Sequence, residues 1–386
     1  MVSEAVSRRV PVYTDPLPSI LFIVGTRPEA IKLCPVIRAM TASSDLHPLV
    51  CATAQHREML DQVFDCFGVR PDYDLDLMTP GQSLAQTTAR VLEALDPLLA
   101  EIRPAMAIVQ GDTTTTLAGS LAAFYRGIPV AHVEAGLRTG NLAEPFPEEL
   151  NRVVAGRLAA LHFAPTERAR QNLLAEGTPA DRILVTGNSG IDAVLEVAGA
   201  LARGAIAAGH WPWLDPARKL LLVTAHRRES FGAGIERICE ALRALARRPD
   251  VQIVYPVHRN PNVLGPVSRL LAGCPNIVLL EPLDYRCFVD LMRRAHLLLT
   301  DSGGIQEEAP SLGKPVLVLR DRTERPEAVE AGTVKLAGTD PGRIVAEAAR
   351  LIEDEAEYTR MAQVHNPYGD GRAAGRIVEA IRAYLP

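Results

Sequence analysis

The sequence predicts a doubly wound α/β protein made of two similar halves that face each other across a cleft. Three observations support this prediction. The chain has 386 residues, enough for two domains of ordinary size. Short apolar segments of strand length alternate with helix-like segments from residue 20 onwards. Glycine turns follow apolar segments in both halves, as expected where a parallel strand leads into a helix.

The first half, placed at residues 20–187, contributes five predicted strands. Short apolar runs at 20–24, 49–53, 106–110, 130–133 and 161–164 have the length and hydrophobicity of buried parallel strands. Residues 1–19 precede them and contain Arg8, Arg9 and three prolines but no apolar segment. This stretch is therefore predicted to be a flexible N-terminal arm.

The second half begins at residue 188 and contributes strands of the same kind. They are predicted at 220–224, 252–256, 277–280, 297–299 and 316–319, and we group the run at 183–185 with them. Residues 187–190, with the sequence GNSG, lie between the halves and are the best hinge candidate. Two such halves would line a cleft with the carboxyl ends of their strands, where α/β proteins bind ligands.

Composition excludes several classes of protein. Hydrophobic residues make up 47% of the chain and charged residues 23%, so each half can bury an ordinary core. The formal net charge of -5, without a basic run, argues against nucleic acid or an anionic membrane surface as a partner. The six cysteines lack metal-ligand or disulfide spacing and are expected to be reduced thiols of a cytoplasmic protein. No apolar stretch reaches membrane-spanning length.

The segment 297–325 is the most informative part of the chain. An apolar run leads into Ser302, Gly303 and Gly304, which open a short helical segment carrying Glu307 and Glu308. Free backbone N–H groups at such a turn bind phosphate, and a carboxylate one turn later accepts hydrogen bonds from ribose hydroxyls. The alternative is a Ser-capped helix with solvated glutamates. We favour a nucleotide site.

A second turn suited to phosphate follows the first strand. Gly25 and Thr26 are followed by Arg27, and Lys32 lies in the helix that begins there. The pattern is neither GxGxxG nor a Walker loop, so it implies neither NAD nor ATP. Arg27 and Lys32 are predicted to contact phosphate or substrate because they lie at the carboxyl end of a strand. The alternative is a Pro-started helix with surface cations.

Three carboxylates of the first half lie at strand ends or at a helix start. Asp112 follows the strand at 106–110, Glu134 follows the strand at 130–133, and Glu148 is in a first helical turn. For each there is a structural alternative: Asp112 as a helix cap, Glu134 paired with Arg138, and Glu148 paired with Arg152.

Three histidines also follow strands. His226 and His258 end strands of the second half, and His56 follows the strand at 49–53. His226 is a candidate acid–base group, since histidine titrates near neutrality, although a hydrogen-bonded loop histidine is the alternative. No His or Cys pair has zinc spacing and no GxSxG elbow occurs. Carboxylates from one half and a histidine from the other suit proton transfer on both faces of a small substrate.

Long motifs from residue 20 to the C-terminus identify a family resemblance. They include GTRPEAIK, AQHREMLDQV, QGDTTTTLAGSLAAFY, HVEAGLRTGN, PFPEELNR, TAHRRESFG, PVHRNPN, TDSGGIQEEAPSLGKP and NPYGDG, in this order. In these motifs the chain resembles the bacterial non-hydrolysing UDP-N-acetylglucosamine 2-epimerases. The resemblance implies two Rossmann-like domains of the glycosyltransferase B type, at 20–187 and 188–366, with residues 367–386 returning to the first domain.

The resemblance also implies an activity. Members interconvert UDP-N-acetylglucosamine and UDP-N-acetylmannosamine without metal or redox cofactor, by eliminating UDP to give 2-acetamidoglucal and adding it back. The product supplies ManNAc-type sugars for cell-surface polysaccharides. A cytoplasmic homodimer that binds neither nucleic acid nor membrane is expected. Three rivals are considered: a glycosyltransferase of the same fold, a hydrolysing 2-epimerase and a non-catalytic sensor of nucleotide sugars.

Roles for individual residues follow from the matching motifs. The resemblance assigns the chemistry to Asp112, Glu134, Glu148 and His226, the diphosphate to Ser302, Gly303 and Gly304, the ribose to Glu308, further substrate contacts to Arg27, Lys32, His258 and Arg325, and an allosteric site for UDP-N-acetylglucosamine to Gln55 and His56. Which carboxylate removes the C2 proton stays open.

Overall fold

The first half of the chain builds a parallel sheet of seven strands. The computed structural model describes residues 17–53, 57–79 and 81–385. The strands are β1 (Ser19–Val24), β2 (His47–Ala52), β3 (Tyr73–Asp74), β4 (Met106–Gln110), β5 (Val130–Val133), β6 (Leu161–Ala164) and β7 (Ile183–Val185), in the order β3-β2-β1-β4-β5-β6-β7. Residues 1–16 of the predicted arm, and Gln55 and His56, lie outside the described residues.

The second half builds a parallel sheet of six strands. These are β8 (Lys219–Thr224), β9 (Val251–Pro256), β10 (Ile277–Leu280), β11 (Leu297–Thr300), β12 (Val316–Val318) and β13 (Val334–Leu336), in the order β10-β9-β8-β11-β12-β13. Two doubly wound parallel sheets with helices on their faces give the predicted glycosyltransferase B type of fold.

Fifteen α-helices connect the strands in the described part of the chain. They are α1 (Arg27–Thr41), α2 (Arg57–Phe67), α3 (Leu84–Ile102), α4 (Thr114–Tyr125), α5 (Glu148–Leu158), α6 (Glu167–Ala175), α7 (Ser189–Ala202), α8 (Ala233–Leu245), α9 (Pro261–Leu271), α10 (Tyr285–Arg294), α11 (Gly303–Glu308), α12 (Pro326–Ala331), α13 (Pro341–Glu353), α14 (Glu355–Ala362) and α15 (Ala373–Tyr384). None of these helices is both long and apolar enough to cross a membrane.

Strand placement was predicted well but not completely. All eleven predicted runs are strands, because strands covered by helices on both faces are continuous apolar runs. The grouping of 183–185 with the second half was wrong, since β7 pairs with β6 at the edge of the first sheet. The strands β3 and β13 were missed, because they are short and carry Asp74 and Lys335.

Each sheet has one point where the strand order reverses. In the first sheet it lies between β1 and β4, and in the second between β8 and β11. Loops leave the sheet in opposite directions on the two sides of such a point and open a crevice at the carboxyl edge. Most predicted site residues follow these four strands or β5, whereas His258 follows β9, Glu148 begins α5 and Arg325 precedes α12.

The chain passes between the two halves twice. After β7, helix α7 packs against α1, and its buried face belongs to a hydrophobic cluster that continues into the second sheet. After α14, the chain returns and α15 packs against α1 and α7. Asp192 of α7 accepts hydrogen bonds from the N–H groups of Ala373 (3.2 Å) and Ala374 (2.9 Å), so it caps α15. The domain boundaries at 187/188 and 366/367 stay a prediction.

Candidate active site

A buried glutamate holds the loop between β1 and α1. The carboxylate of Glu29 accepts hydrogen bonds from the N–H groups of Gly25 (3.1 Å) and Thr26 (2.6 Å) and from the hydroxyl of Thr113 (2.8 Å). Burial raises the pKa of Glu29 to about 7, although these donors oppose the shift. The loop that carries Arg27 is thus fixed to the start of α4, beside Asp112.

Gly25 permits this close approach of β1 to α4. A Cβ atom at residue 25 would lie 2.1 Å from Oγ1 of Thr115. No other residue type fits here without displacing α4.

Four side chains of alternating charge lie across the cleft. Lys32 pairs with Glu134 in the first half, and Arg325 pairs with Glu307 in the second. Burial disfavours the charge of Glu134, but Lys32 and Arg325 outweigh it and hold the pKa of Glu134 below its ordinary value. Burial also opposes the charge of Lys32, and the two glutamates overcome this and raise its pKa. Glu134 is therefore an ionised carboxylate between cations from both halves.

Glu134 also has an unusual backbone. Its φ of 64° lies in the left-handed region, which is uncommon for a residue with a side chain. Gly111 lies nearby, since a Cβ there would be 3.8 Å from Oε1 of Glu134. The loops after β4 and β5 are thus in contact.

Asp112 is paired with Arg152 of α5. The helix-cap alternative for Asp112 was wrong, because Thr113 is the N-cap residue of α4 and accepts a hydrogen bond from the N–H of Thr116. Burial raises the pKa of Asp112; Arg152 opposes this shift and the charge of Glu134 adds to it. Asp112 and Glu134 therefore interact, and their pKa values are displaced in opposite directions.

The structural alternatives for the other two carboxylates were also wrong. Arg138 pairs with Glu176 rather than with Glu134. Arg152 lies 3.6 Å from Glu149 in addition to its pair with Asp112, and no described ion pair joins it to Glu148. Glu148 is the half-buried first residue of α5, and its charge contributes to the raised pKa of Asp112.

In the second half, a buried aspartate organises the loop after β8. Asp301 accepts hydrogen bonds from the N–H groups of His226 (2.6 Å) and Arg227 (2.7 Å), and its other oxygen lies 3.3 Å from Nδ1 of His226. The ring of His226 stacks on His258 at a centroid distance of 5.5 Å. Burial lowers the pKa of His226, with Asp301 opposing and Arg27 adding to the shift. The charge of Arg27 in the first half therefore acts on His226 in the second.

The glycine turn after β11 lies between two guanidinium groups. A Cβ at Gly303 would be 3.5 Å from Nη2 of Arg325 and 3.9 Å from Nη2 of Arg227. The side chain of Ser302, the N-cap residue of α11, makes no capping hydrogen bond. Two cations thus lie beside glycines that carry no side chain, and this setting is suited to an anion.

The solvated-glutamate alternative for this segment was wrong. Glu307 is buried, and Glu308 lies 3.3 Å from the hydroxyl of Tyr285. Burial and the charge of Glu307 raise the pKa of Glu308 to about 8. Burial lowers the pKa of Arg27, and Glu308 opposes this shift, so Arg27 of the first half lies close to Glu308 of the second.

The cleft therefore brings together every predicted site residue within the described part of the chain. Strand-end reasoning missed four residues: Glu29, Arg227, Tyr285 and Glu307. Arg227 directly follows His226 and was open to the same reasoning. Glu29, Tyr285 and Glu307 contact residues that are distant in the chain, and no local sequence pattern indicates such contacts. Among the described residues, no group of three or more His, Cys, Asp or Glu side chains is placed to hold a metal ion.

Comparison with known proteins shows the family of this chain. The family model described as UDP-N-acetylglucosamine 2-epimerase matches residues 38–382. The UDP-N-acetylglucosamine 2-epimerase of Escherichia coli is 58% identical over 369 residues, covering 94% of this chain and 98% of its own.

Solved structures of UDP-GlcNAc 2-epimerases have the same fold as this chain. The UDP-GlcNAc 2-epimerase of Neisseria meningitidis bound to UDP-GlcNAc superposes with a TM-score of 0.87 at 48% identity, covering 95% of this chain and 100% of its own. The enzyme of Methanocaldococcus jannaschii in complex with UDP-GlcNAc and UDP gives a TM-score of 0.76 at 32% identity, covering 95% and 99%.

Proposed function

This chain belongs to the UDP-N-acetylglucosamine 2-epimerase family, and we propose that it interconverts UDP-N-acetylglucosamine and UDP-N-acetylmannosamine by elimination and re-addition of UDP. The observation that carries this proposal is the meeting of two paired carboxylates, Asp112 with Arg152 and Glu134 with Lys32, and the guanidinium groups beside Gly303 at one cleft. A cytoplasmic homodimer and an effector site at Gln55 and His56 remain expectations from the family resemblance.

The diphosphate is bound at the glycine turn. Arg227 and Arg325 flank Gly303 and stabilise the negative charge that develops as the bond between C1 and the phosphate oxygen breaks. Glu308 accepts hydrogen bonds from the ribose hydroxyls, with Tyr285 behind it. His226, which follows β8 and stacks on His258, is assigned the donation of a hydrogen bond to the leaving phosphate oxygen.

The protons are handled by the carboxylates of the first half. The C2 hydrogen is not adjacent to a carbonyl, so its removal is coupled to the loss of UDP. A carboxylate takes the proton, the C–H electrons form the C1=C2 bond, and the C1–O electrons leave with UDP. Ionised Glu134 suits the proton-accepting role, and Asp112, with its raised pKa, suits proton delivery to the opposite face of C2. In the reverse direction Asp112 and Glu134 exchange these roles. The negative charge of Glu148 helps to keep the pKa of Asp112 raised.

An isotope experiment tests this route. UDP-N-acetylglucosamine incubated with the enzyme in D₂O is followed by NMR, and both UDP-sugars are expected to carry deuterium at C2, because a side-chain acid delivers a solvent-derived proton. Epimerised product that keeps its original C2 hydrogen would refute elimination. Free N-acetylmannosamine would indicate the hydrolysing rival, and an unchanged substrate would leave the glycosyltransferase or the sensor.

Matched substitutions test the residue assignment. Asp112→Asn and Glu134→Gln keep side-chain size but remove the proton-accepting charge, so each is expected to lower turnover by roughly a hundredfold or more. UDP affinity, measured by calorimetry, should change little. Glu281→Gln removes an exposed carboxylate paired with Arg259 and serves as the control. Ordinary turnover in both cleft variants would refute the assignment while leaving the family membership intact.

A further inference from the structure

The two passages of the chain between the halves touch each other. The N–H of Asn188 donates to the carbonyl of Tyr368 at 2.7 Å. Gly187 and Gly369 lie back to back, since a Cβ at Gly187 would be 3.4 Å from the Cα of Gly369. Both glycines have φ in the positive region, at 87° and 146°. We call residues 187–190 and 366–369 together the crossing.

Glu307 of α11 is hydrogen-bonded to both segments of the crossing. Its Oε2 accepts from Nδ2 of Asn188 at 2.8 Å, and its carbonyl oxygen accepts from Nδ2 of Asn366 at 2.7 Å. The amide oxygen of Asn188 in turn accepts from the N–H of Gly190 at 2.8 Å and caps α7. The amide of Asn188 is thus oriented, with its donor on Glu307 and its acceptor on α7, which packs on α1 of the first half and on α10 and α11 of the second.

The second carboxylate oxygen of Glu307 faces the cleft. It pairs with Nε of Arg325, whose Nη2 lies beside Gly303, and the side chain of Glu307 is only 3% exposed. Arg325 also acts on the pKa of Glu134 across the cleft. One rigid carboxylate therefore joins the anion site, the crossing and the helix α7.

We propose that Glu307 is a positioning residue that couples diphosphate binding at Arg325 to closure of the two halves about the crossing. This inference rests on the proposed function for its ligand, UDP. A bound diphosphate fixes Arg325, Arg325 fixes Glu307, and Glu307 holds Asn188 and with it α7 in the closed arrangement. The closed arrangement keeps the charge of Arg325 beside Glu134 and excludes water from the glycal.

Exchanging donor and acceptor tests the coupling. Asn188→Asp breaks this hydrogen bond by placing two carboxylates together, and Glu307→Gln leaves one acceptor oxygen that cannot serve Asn188 and Arg325 at once. In the double variant both contacts are restored, with Gln donating to Asp and accepting from Arg325. The aspartate still caps α7, since Asp is as good an N-cap residue as Asn. Glu347→Gln, which breaks the remote pair with Lys335, is the matched control. Circular dichroism and melting temperature show that each variant is folded.

Three quantities are measured for each variant: UDP affinity by calorimetry, kcat and KM, and the fall in radius of gyration on saturation with UDP by small-angle X-ray scattering. Both single variants are expected to lose the UDP-induced compaction and roughly tenfold or more in kcat, as for loss of a buried hydrogen bond to a charged group. The Asn188→Asp variant should bind UDP within about threefold of the wild type, because Arg325 is retained. The double variant should recover most of the compaction.

Two outcomes would overturn the coupling: single variants that compact and turn over like the wild type, or a double variant no better than either single one. A wild-type protein that binds no UDP would instead refute the proposed function. Because compaction is measured with UDP alone, the result does not depend on turnover.

Discussion

Acid is expected to destabilise the first half through a buried histidine behind the site. His132 of β5 is 1% exposed, and its Nε2 lies 2.7 Å from the carbonyl oxygen of Gly111. Since a carbonyl oxygen only accepts, Nε2 carries a proton and donates to Gly111. Nδ1 has no protein hydrogen-bond partner. Burial lowers the pKa of His132 from 6.5 to about 4, and the bond to Gly111 only partly opposes this shift.

The size of the effect follows from this lowered pKa. Between pH 6.5 and 4 the unfolded chain binds a proton at His132 and the folded protein does not, so stability is lost as the pH falls through this window. Each pKa unit corresponds to about 1.4 kcal/mol, which gives a loss of about 2 kcal/mol at pH 5 and about 3 kcal/mol below pH 4.

Urea unfolding at pH 8 and pH 5, followed by circular dichroism, measures this loss. His132→Gln keeps an N–H donor for Gly111 but cannot titrate. The variant is expected to be less stable at pH 8, and to lose about 2 kcal/mol less than the wild type on going to pH 5. His365→Gln, at an exposed histidine, is the control and should not change the loss. Equal losses in the wild type and His132→Gln would refute the argument.

Two further substitutions test the scaffold. Gly25→Ala is expected to lower the melting temperature by several degrees, because its Cβ would lie 2.1 Å from Thr115 Oγ1. Gly265→Ala in α9, where a Cβ would meet nothing within 4 Å, should instead stabilise slightly, and equal melting temperatures would contradict this reasoning. Asp192→Ala removes the cap of α15, so it should cost about 1–2 kcal/mol and speed amide hydrogen exchange at 373–384. Unchanged exchange there would show that the cap is dispensable.

The sequence by itself determined the buried central strands and the polar residues that follow them. Parallel strands covered on both faces must be apolar throughout, so the runs at 20–24, 106–110 and 297–299 were visible without a structure. Polar residues directly after such runs must lie at the carboxyl edge of a sheet, and Asp112 and Ser302 do lie there, after β4 and β11.

Only the tertiary structure decided which charges meet. Lys32 and Glu134 are 102 residues apart, and the local partners expected for Glu134 and Glu148 were wrong. The pairing of β7 with β6 and the contacts of Glu307 could not be inferred from the sequence either. The physical reason is that a strand depends on the hydrophobicity of its own residues, whereas an ion pair and a displaced pKa depend on which distant segments bury the charged group together.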